Sequence, residues 1–314
     1  MREVAFIQQN ADKWERFEGL LREEGADPDE LADLYVALTD DLAYARTHFP
    51  DGEAASYLND LTTEVHQQVY RERRAERGRL WEFFAVDVPE AIGEARGALL
   101  ASALVFALAV GIGILSAAND AGFTRLILGD AYVNMTLDNI QRGEPMGVYK
   151  EARALDMFMG IALNNVRVAF RTFAMGLFFS VGSGYALFQN GVMIGAFHAL
   201  FAQQDILAKS LLVVYVHGTL EISAIIVAGA AGFVLGNGLL FPGTLPRLKA
   251  FMRAAKQGGT IAVGLVPVFL TAAFLEGFVT RHTSMPVWGH LLVIGSSLAF
   301  VGWYFGIRPN RLSA

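Results

Sequence analysis

Two patterns of apolar positions divide this chain. Up to about residue 98, apolar residues recur at three- and four-residue intervals among many charged ones. Trp14, Phe17, Leu20 and Leu21 form one such stripe, with Asn10 as a candidate cap. Asp27-Pro28 reads as the start of a second helix, because proline suits a first turn and aspartate caps it. Leu31, Leu34, Tyr35, Leu38 and Leu42 make its apolar face, and the run His48-Phe49-Pro50-Asp51-Gly52 ends it. A third helix is expected from about Ala54 through Leu58, Leu61, Val65 and Val69 to Arg74. Asp87-Val88-Pro89-Glu90 reads as a further helix start.

Beyond residue 98 the apolar residues come in long runs. These cover 99–118, 157–180, 185–203, 211–240, 259–279 and 287–307. A bilayer core takes about 20 apolar residues to cross as a helix. The pattern therefore predicts an all-α, polytopic membrane protein with about six transmembrane helices and an N-terminal soluble helical domain. The domains are 1–98 and 99–314. Val181-Gly182-Ser183-Gly184 is the expected turn between the second and third spans. The run 211–240 would be roughly 45 Å long as a straight helix, more than a ~30 Å hydrocarbon core. It must tilt, protrude or break, with Gly218 as the candidate break. The segment 119–156 is read as a long loop, partly helical, for example from Val148 to Met159.

Charge sharpens this division. Residues 1–98 hold 22 of the 31 acids and 11 of the 25 bases, whereas 157–314 hold three acids only: Asp205, Glu221 and Glu276. Overall 54% of residues are hydrophobic and 18% charged, fewer charges than the ~25% of soluble domains. Arg71 to Arg79 include five arginines, followed by Trp81, Phe83 and Phe84, a pattern suited to a cytoplasmic membrane interface or to a solvated helix end. The loop 241–257 carries Arg247, Lys249, Arg253 and Lys256 and no acid, and the tail carries Arg308 and Arg311. Positive residues favour the cytoplasmic side. The expectation is a bacterial inner-membrane protein with both termini cytoplasmic and 119–156 extracytoplasmic. The opening MREVAFIQQNADKWERF lacks the apolar core of a signal peptide, so the first span is expected to direct insertion.

Several polar residues lie inside the apolar runs. His217 and Glu221 are four apart and share a face of a continuous helix. Glu276 lies in VFLTAAFLEGFVT. Ionisable groups within a membrane point to an ion path, a proton relay or a catalytic centre, and otherwise to a hydrogen-bonded clasp between helices. Arg167 and Arg171, beside Asn164 and Asn165, either mark an interfacial segment or face a polar cavity and meet Glu221 or Glu276. Asn190-Gly191 is a candidate bend or half-helix end. His217, Glu221 and Glu276 also offer an incomplete metal-ligand set, without the His-Glu-x-x-His pattern, and His198 and His290 lie in apolar runs as well. The metal question stays open, and no organic cofactor is expected. Gly191-x-x-x-Gly195, Gly232-x-x-x-Gly236 and Gly302-x-x-x-Gly306 match a close-packing pattern that serves intrachain packing or a homodimer.

With no cysteine, disulfides, thiolate metal sites and cysteine nucleophiles are excluded. No phosphate loop or dinucleotide fingerprint occurs, and no basic, aromatic-rich surface suggests nucleic acid.

The chain resembles the stage II sporulation protein M family. The resemblance rests on Trp14, Asn164-Asn165, Asn190-Gly191, His217-Gly218-x-x-Glu221, the run from Gly229 to Gly236, and Glu276-Gly277-Phe278, and covers about residues 10–307. It implies a polytopic membrane protein. The sporulation member assembles with peptidoglycan-degrading partners during engulfment. Members of non-sporulating bacteria neighbour a MoxR-type ATPase and an RDD-type membrane protein. Nearly 100 N-terminal residues set this chain apart from the short sporulation form and favour the non-sporulation branch. The functional expectations are, first, a membrane scaffold recruiting protein partners through residues 1–98. A channel or transporter for a small ion or solute comes second, and an intramembrane enzyme third.

Overall fold

A computed structural model of the chain describes residues 2–22, 28–50, 52–72, 78–145, 147, 153–281 and 285–309. Every regular element among them is helical, and they divide into two compact units, Met1–Arg79 and Leu80–Ala314.

The first unit contains α1 (Glu3–Arg22), α2 (Pro28–His48) and α3 (Glu53–Glu72). Trp14, Phe17 and Leu20 of α1 are buried, as the stripe predicts, and Phe6 joins them about two turns before Trp14. Leu38, Leu42 and Ala45 of α2 and Ala54, Ala55, Leu58 and Leu61 of α3 complete one core. Trp14 keeps its indole N–H satisfied by donating to Asp41 Oδ2 at 2.8 Å, and Lys13 Nζ lies 2.6 Å from the same oxygen. Asn10 is not a cap. It sits inside α1, which starts seven residues earlier, and its Nδ2 donates to the Phe6 carbonyl. Asp27 and Arg74 and the side chains of Val65 and Val69 lie outside the described residues.

The second unit begins with a continuous helical run: α4 (Arg79–Glu82), a π turn (Phe83–Asp87) and α5 (Val88–Glu94). Asp87 does not start a helix with its side chain. It is itself in helical conformation and makes no capping bond. The π turn instead accommodates Pro89. Proline has no N–H to give the carbonyl four residues back, which is Ala85, and the Val88 N–H is redirected to Phe83. The Phe84 and Ala85 carbonyls are therefore free for other donors. Tyr304 Oη donates to Phe84 at 2.7 Å and Arg308 Nε to Ala85 at 2.9 Å, so the C-terminal helix is tied to this turn. Replacing both donors (Tyr304→Phe with Arg308→Met) should cost about 1–3 kcal/mol per carbonyl left unpaired. Thermal unfolding of the detergent-solubilised protein measures this, and an unchanged transition would show that the tie contributes nothing.

This placement moves the boundary between the units. Val88, Ala91, Ile92 and Ala95 pack in the same core as Ala224, Ala228, Ile261, Leu265 and Phe269, so residues 80–98 belong with the apolar helices rather than with residues 1–79.

The remaining helices are α6 (Arg96–Asn119), α7 (Ala121–Leu128), α8 (Asp130–Gln141), α9 (Ala154–Ala174), α10 (Val181–Gln203), α11 (Leu207–Leu240), α12 (Arg247–Gly264), α13 (Val266–Phe274) and α14 (Val287–Val301). π turns follow α13 (Leu275–Thr280) and α14 (Gly302–Ile307). Among the described residues, four stretches are long and apolar enough to cross a membrane: Arg96–Asn119, Leu207–Leu240, Arg247–Thr280 and Val287–Ile307. α9 and α10, of 21 and 23 residues, have the length but carry more polar side chains, and are not among the four. On α6 the exposed residues Leu100, Leu104, Leu108, Ile112 and Leu115 form an apolar outer stripe, as lipid contact requires.

α11 is the central helix. It contacts α6, α9, α10, α12, α13 and α14, and it runs unbroken through Gly218 for 34 residues, about 50 Å. Its small residues explain this position. A side chain at Gly232 would meet Ser183 and the Thr172 carbonyl, and one at Gly258 of α12 would meet the Ala231 carbonyl of α11. Small residues let backbones approach closely where lipid removes the hydrophobic drive for helix association.

Three loops differ from their expected positions. The turn between α9 and α10 is Met175–Ser180, a 3-10 turn followed by Phe179 and Ser180 at φ 54° and 64°. Val181-Gly182-Ser183-Gly184 is instead the first turn of α10, where Gly182 packs on Met175 and Ser183 Oγ donates to the Thr172 carbonyl at 2.6 Å. Basic residues 247–257 are the start of α12 and not loop, because no residue there breaks a helix. In 119–156 the helices are α7 and α8, α9 begins at Ala154, and Val148 lies outside the described residues.

Candidate functional site

Because α11 is continuous, His217 and Glu221 fall on one face, one turn apart. Glu276 comes from the π turn after α13, whose wider coil stacks Thr280 nearly over Glu276. Both point at His217. Its Nε2 lies 3.7 Å from Glu276 Oε2, and its Nδ1 lies 3.1 Å from Thr280 Oγ1. One potential ligand atom each from His217, Glu221 and Glu276 lie within 4.8 Å of one another. His217 is 4% exposed, and both glutamates are partly buried. π turns of this kind often occur at functional sites.

Asn165 comes from the buried face of α9, beside Ala162, Ala169 and Thr172, and its amide donates to Glu221 Oε1. Asn164 is exposed, and its Nδ2 donates to Asn165 Oδ1 at 3.4 Å. Arg167 and Arg171 are also exposed and meet neither glutamate. They lie on the side of α9 shared with Leu163 and Phe170, away from α11. Asn190 does not join the cluster and marks no bend. It lies within α10, where its Nδ2 donates to Ala186, and Gly191 beside it packs on Phe106 and Ala109 of α6. His198 stacks on Tyr215 with centroids 5.8 Å apart, and His290 Nδ1 lies 3.2 Å from the Pro286 carbonyl, so neither completes the His217 group.

One member, Thr280, was missed in the sequence, and Tyr132 feels the site's charge. Thr280 stands four residues after Glu276, a spacing that could have flagged it. Tyr132 of α8 carried no signal. Burial holds its phenol above its ordinary value, the Thr136 hydrogen bond opposes the rise, and the Glu276 carboxylate adds to it. Two cavities of the second unit, about 450 and 430 Å³, are lined by other side chains. The second of them includes Leu220 and Leu275, the chain neighbours of Glu221 and Glu276.

The close-packing glycines are largely used inside the chain. Gly191 and Gly195 pack on α6, Gly232 and Gly236 on the α9–α10 turn and α10, while Gly302 and Gly306 face open space.

Comparison with known proteins adds two matches to family profiles. Residues 4–71 match Domain of unknown function (DUF8413). Neither a curated protein nor a solved structure matches the chain. Residues 102–281 match Stage II sporulation protein M. That stretch covers more than half of the chain and contains every member of the cluster, and the chain belongs to the stage II sporulation protein M family.

Proposed function

We propose that this chain is a multi-pass scaffold of the bacterial inner membrane, which gathers protein partners through its N-terminal helical unit. The observation that carries this reading is the division of the chain. Residues 4–71 match one domain profile and 102–281 another, and each part has its own core. A module with a separate fold on a membrane unit is the arrangement of a docking domain. Arg79, Arg247, Lys249, Arg253 and Arg308 mark the cytoplasmic side, which in this reading holds the first unit as a soluble domain.

In this reading α9 and α10 also cross the membrane, which makes six spans. α6 then runs outward, α7 and α8 are extracytoplasmic, and the basic start of α12 and both chain ends are cytoplasmic. Arg171 stands one turn from the end of α9 and Arg167 two turns, close enough for both to extend along the helix toward the cytoplasmic headgroups. A homodimer would use a surface such as that of Gly302 and Gly306.

A second reading, transport of a small ion or solute, is favoured by the three ionisable side chains held together inside apolar helices. One paired experiment separates the two. Deleting residues 1–75 should remove partners that co-purify with the full chain from native membranes. Glu221→Gln and Glu276→Gln should leave those partners in place. Partners retained by the deletion would sink the scaffold. Loss of function in the two glutamine variants with partners retained would favour transport.

A further inference from the structure

We infer that His217, Glu221 and Glu276 form a divalent transition-metal site of the zinc class within the helix bundle. The argument begins with one proton. The hydroxyl of Thr280 donates to the Leu275 carbonyl at 3.1 Å, an oxygen that can only accept. A hydroxyl has a single proton, so toward His217 it acts as the acceptor. The ring N–H must therefore sit on Nδ1, which lies 3.1 Å from Thr280 Oγ1. The lone pair then sits on Nε2, and this is the atom that faces Glu276 Oε2 at 3.7 Å.

Two acceptors thus look at each other across a gap too wide for a hydrogen bond. In a tetrahedral zinc site, with Zn–N and Zn–O distances near 2.1 Å, neighbouring ligand atoms stand about 3.4 Å apart. The gap is close to that spacing, and the Glu221 oxygen falls in the same group of atoms within 4.8 Å. The outer contacts also have the form of a metal site. A ligating histidine gives its other N–H to an oxygen, which fixes ring and tautomer, and ligating carboxylates are held by hydrogen bonds. Thr280 does the first and the Asn165 amide does the second, at Glu221. Two buried carboxylates repel one another and are costly to hold charged in a low dielectric. A dication cancels both charges, and Arg167 and Arg171 are turned away from them. An imidazole with two carboxylates suits zinc better than magnesium or calcium, which take oxygen ligands only. Three protein ligands leave a fourth position for water.

The site does not depend on the docking role of the first unit, and its test reads metal alone. The full chain, purified in detergent and stripped with a chelator, is titrated with Zn²⁺ against a chromophoric chelator and with Co²⁺ for the visible absorption of a four-coordinate ion. The expected result is one high-affinity equivalent per chain. His217→Gln and Glu276→Gln should each remove it, and Thr280→Val should weaken it 10- to 100-fold, the usual effect of removing an outer hydrogen bond. Each variant is compared only as a monodisperse, helical species, and Thr280→Val keeps the test open if a ligand variant fails to fold. No stoichiometric zinc on the folded wild-type chain would overturn the site. Zinc bound equally by all three variants would overturn it as well.

Discussion

Gly232→Val should produce a large loss of stability in the membrane unit. A Cβ at this position would lie 2.8 Å from Ser183 Cβ and 2.9 Å from the Thr172 carbonyl, and closer still to Ser183 Oγ. The Thr172 oxygen is backbone, so no rotamer change relieves the clash. α9 or α10 would have to move away from α11, taking with it the Ser183–Thr172 hydrogen bond. Overpacking of this kind costs about 1–3 kcal/mol and sometimes more. A displaced helix and a lost buried hydrogen bond put this case at the upper end or beyond. Gly295 on α14 is the control, because a Cβ there meets nothing within 4 Å. The unfolding temperature in detergent should fall markedly for Gly232→Val and little for Gly295→Val. Equal behaviour of the two would refute the close approach of α9 and α10 to α11.

Phe17→Ala should unfold the first unit. Phe17 is fully buried, packs with Tyr35 at a centroid distance of 6.4 Å, and stands in a core shared by all three helices of the unit. Truncating a buried phenylalanine costs about 3–5 kcal/mol. A single core in a unit this small rarely supplies more than about 3–5 kcal/mol in all. The two magnitudes are comparable, so the native unit should no longer dominate. Hydrogen exchange of the full chain should show lost protection across α1, α2 and α3, with the helices of the second unit still protected. Protection retained in α1 would contradict the burial of Phe17. Loss in both units together would show that they fold as one.

Much of the first unit was legible because its helices are amphipathic. A stripe such as Trp14, Phe17 and Leu20 declares which face is inward. The apolar runs were equally plain as helices, but their inward faces were not. A run that is apolar on all sides has no preferred face in its own pattern, so the central place of α11 could not be read from it. Its glycines and alanines hinted at close approach without naming the neighbour. The pattern of α9 likewise left two readings open, an interfacial segment or a group facing a polar cavity. Asn164, Asn165, Arg167 and Arg171 looked like one polar group, yet a helix turns about 100° per residue, and only Asn165 faces α11.

The residues on α11 illustrate what a linear pattern can decide. Helix spacing alone put His217 and Glu221 on one face, and composition alone placed them, with Glu276, inside apolar helices. Hydropathy likewise separated an acidic, amphipathic N-terminal part from an apolar remainder. These are local properties, set by residue type and a repeat of 3.6. The meeting of Glu276 with His217, the recruitment of Thr280 and Asn165, and the exclusion of Arg167, Arg171 and Asn190 came from the packed fold. So did the use of Tyr304 and Arg308 to satisfy carbonyls released by Pro89. Each depends on where one helix lies against another, and that is decided by close packing between residues far apart in the chain, where no local repeat reaches.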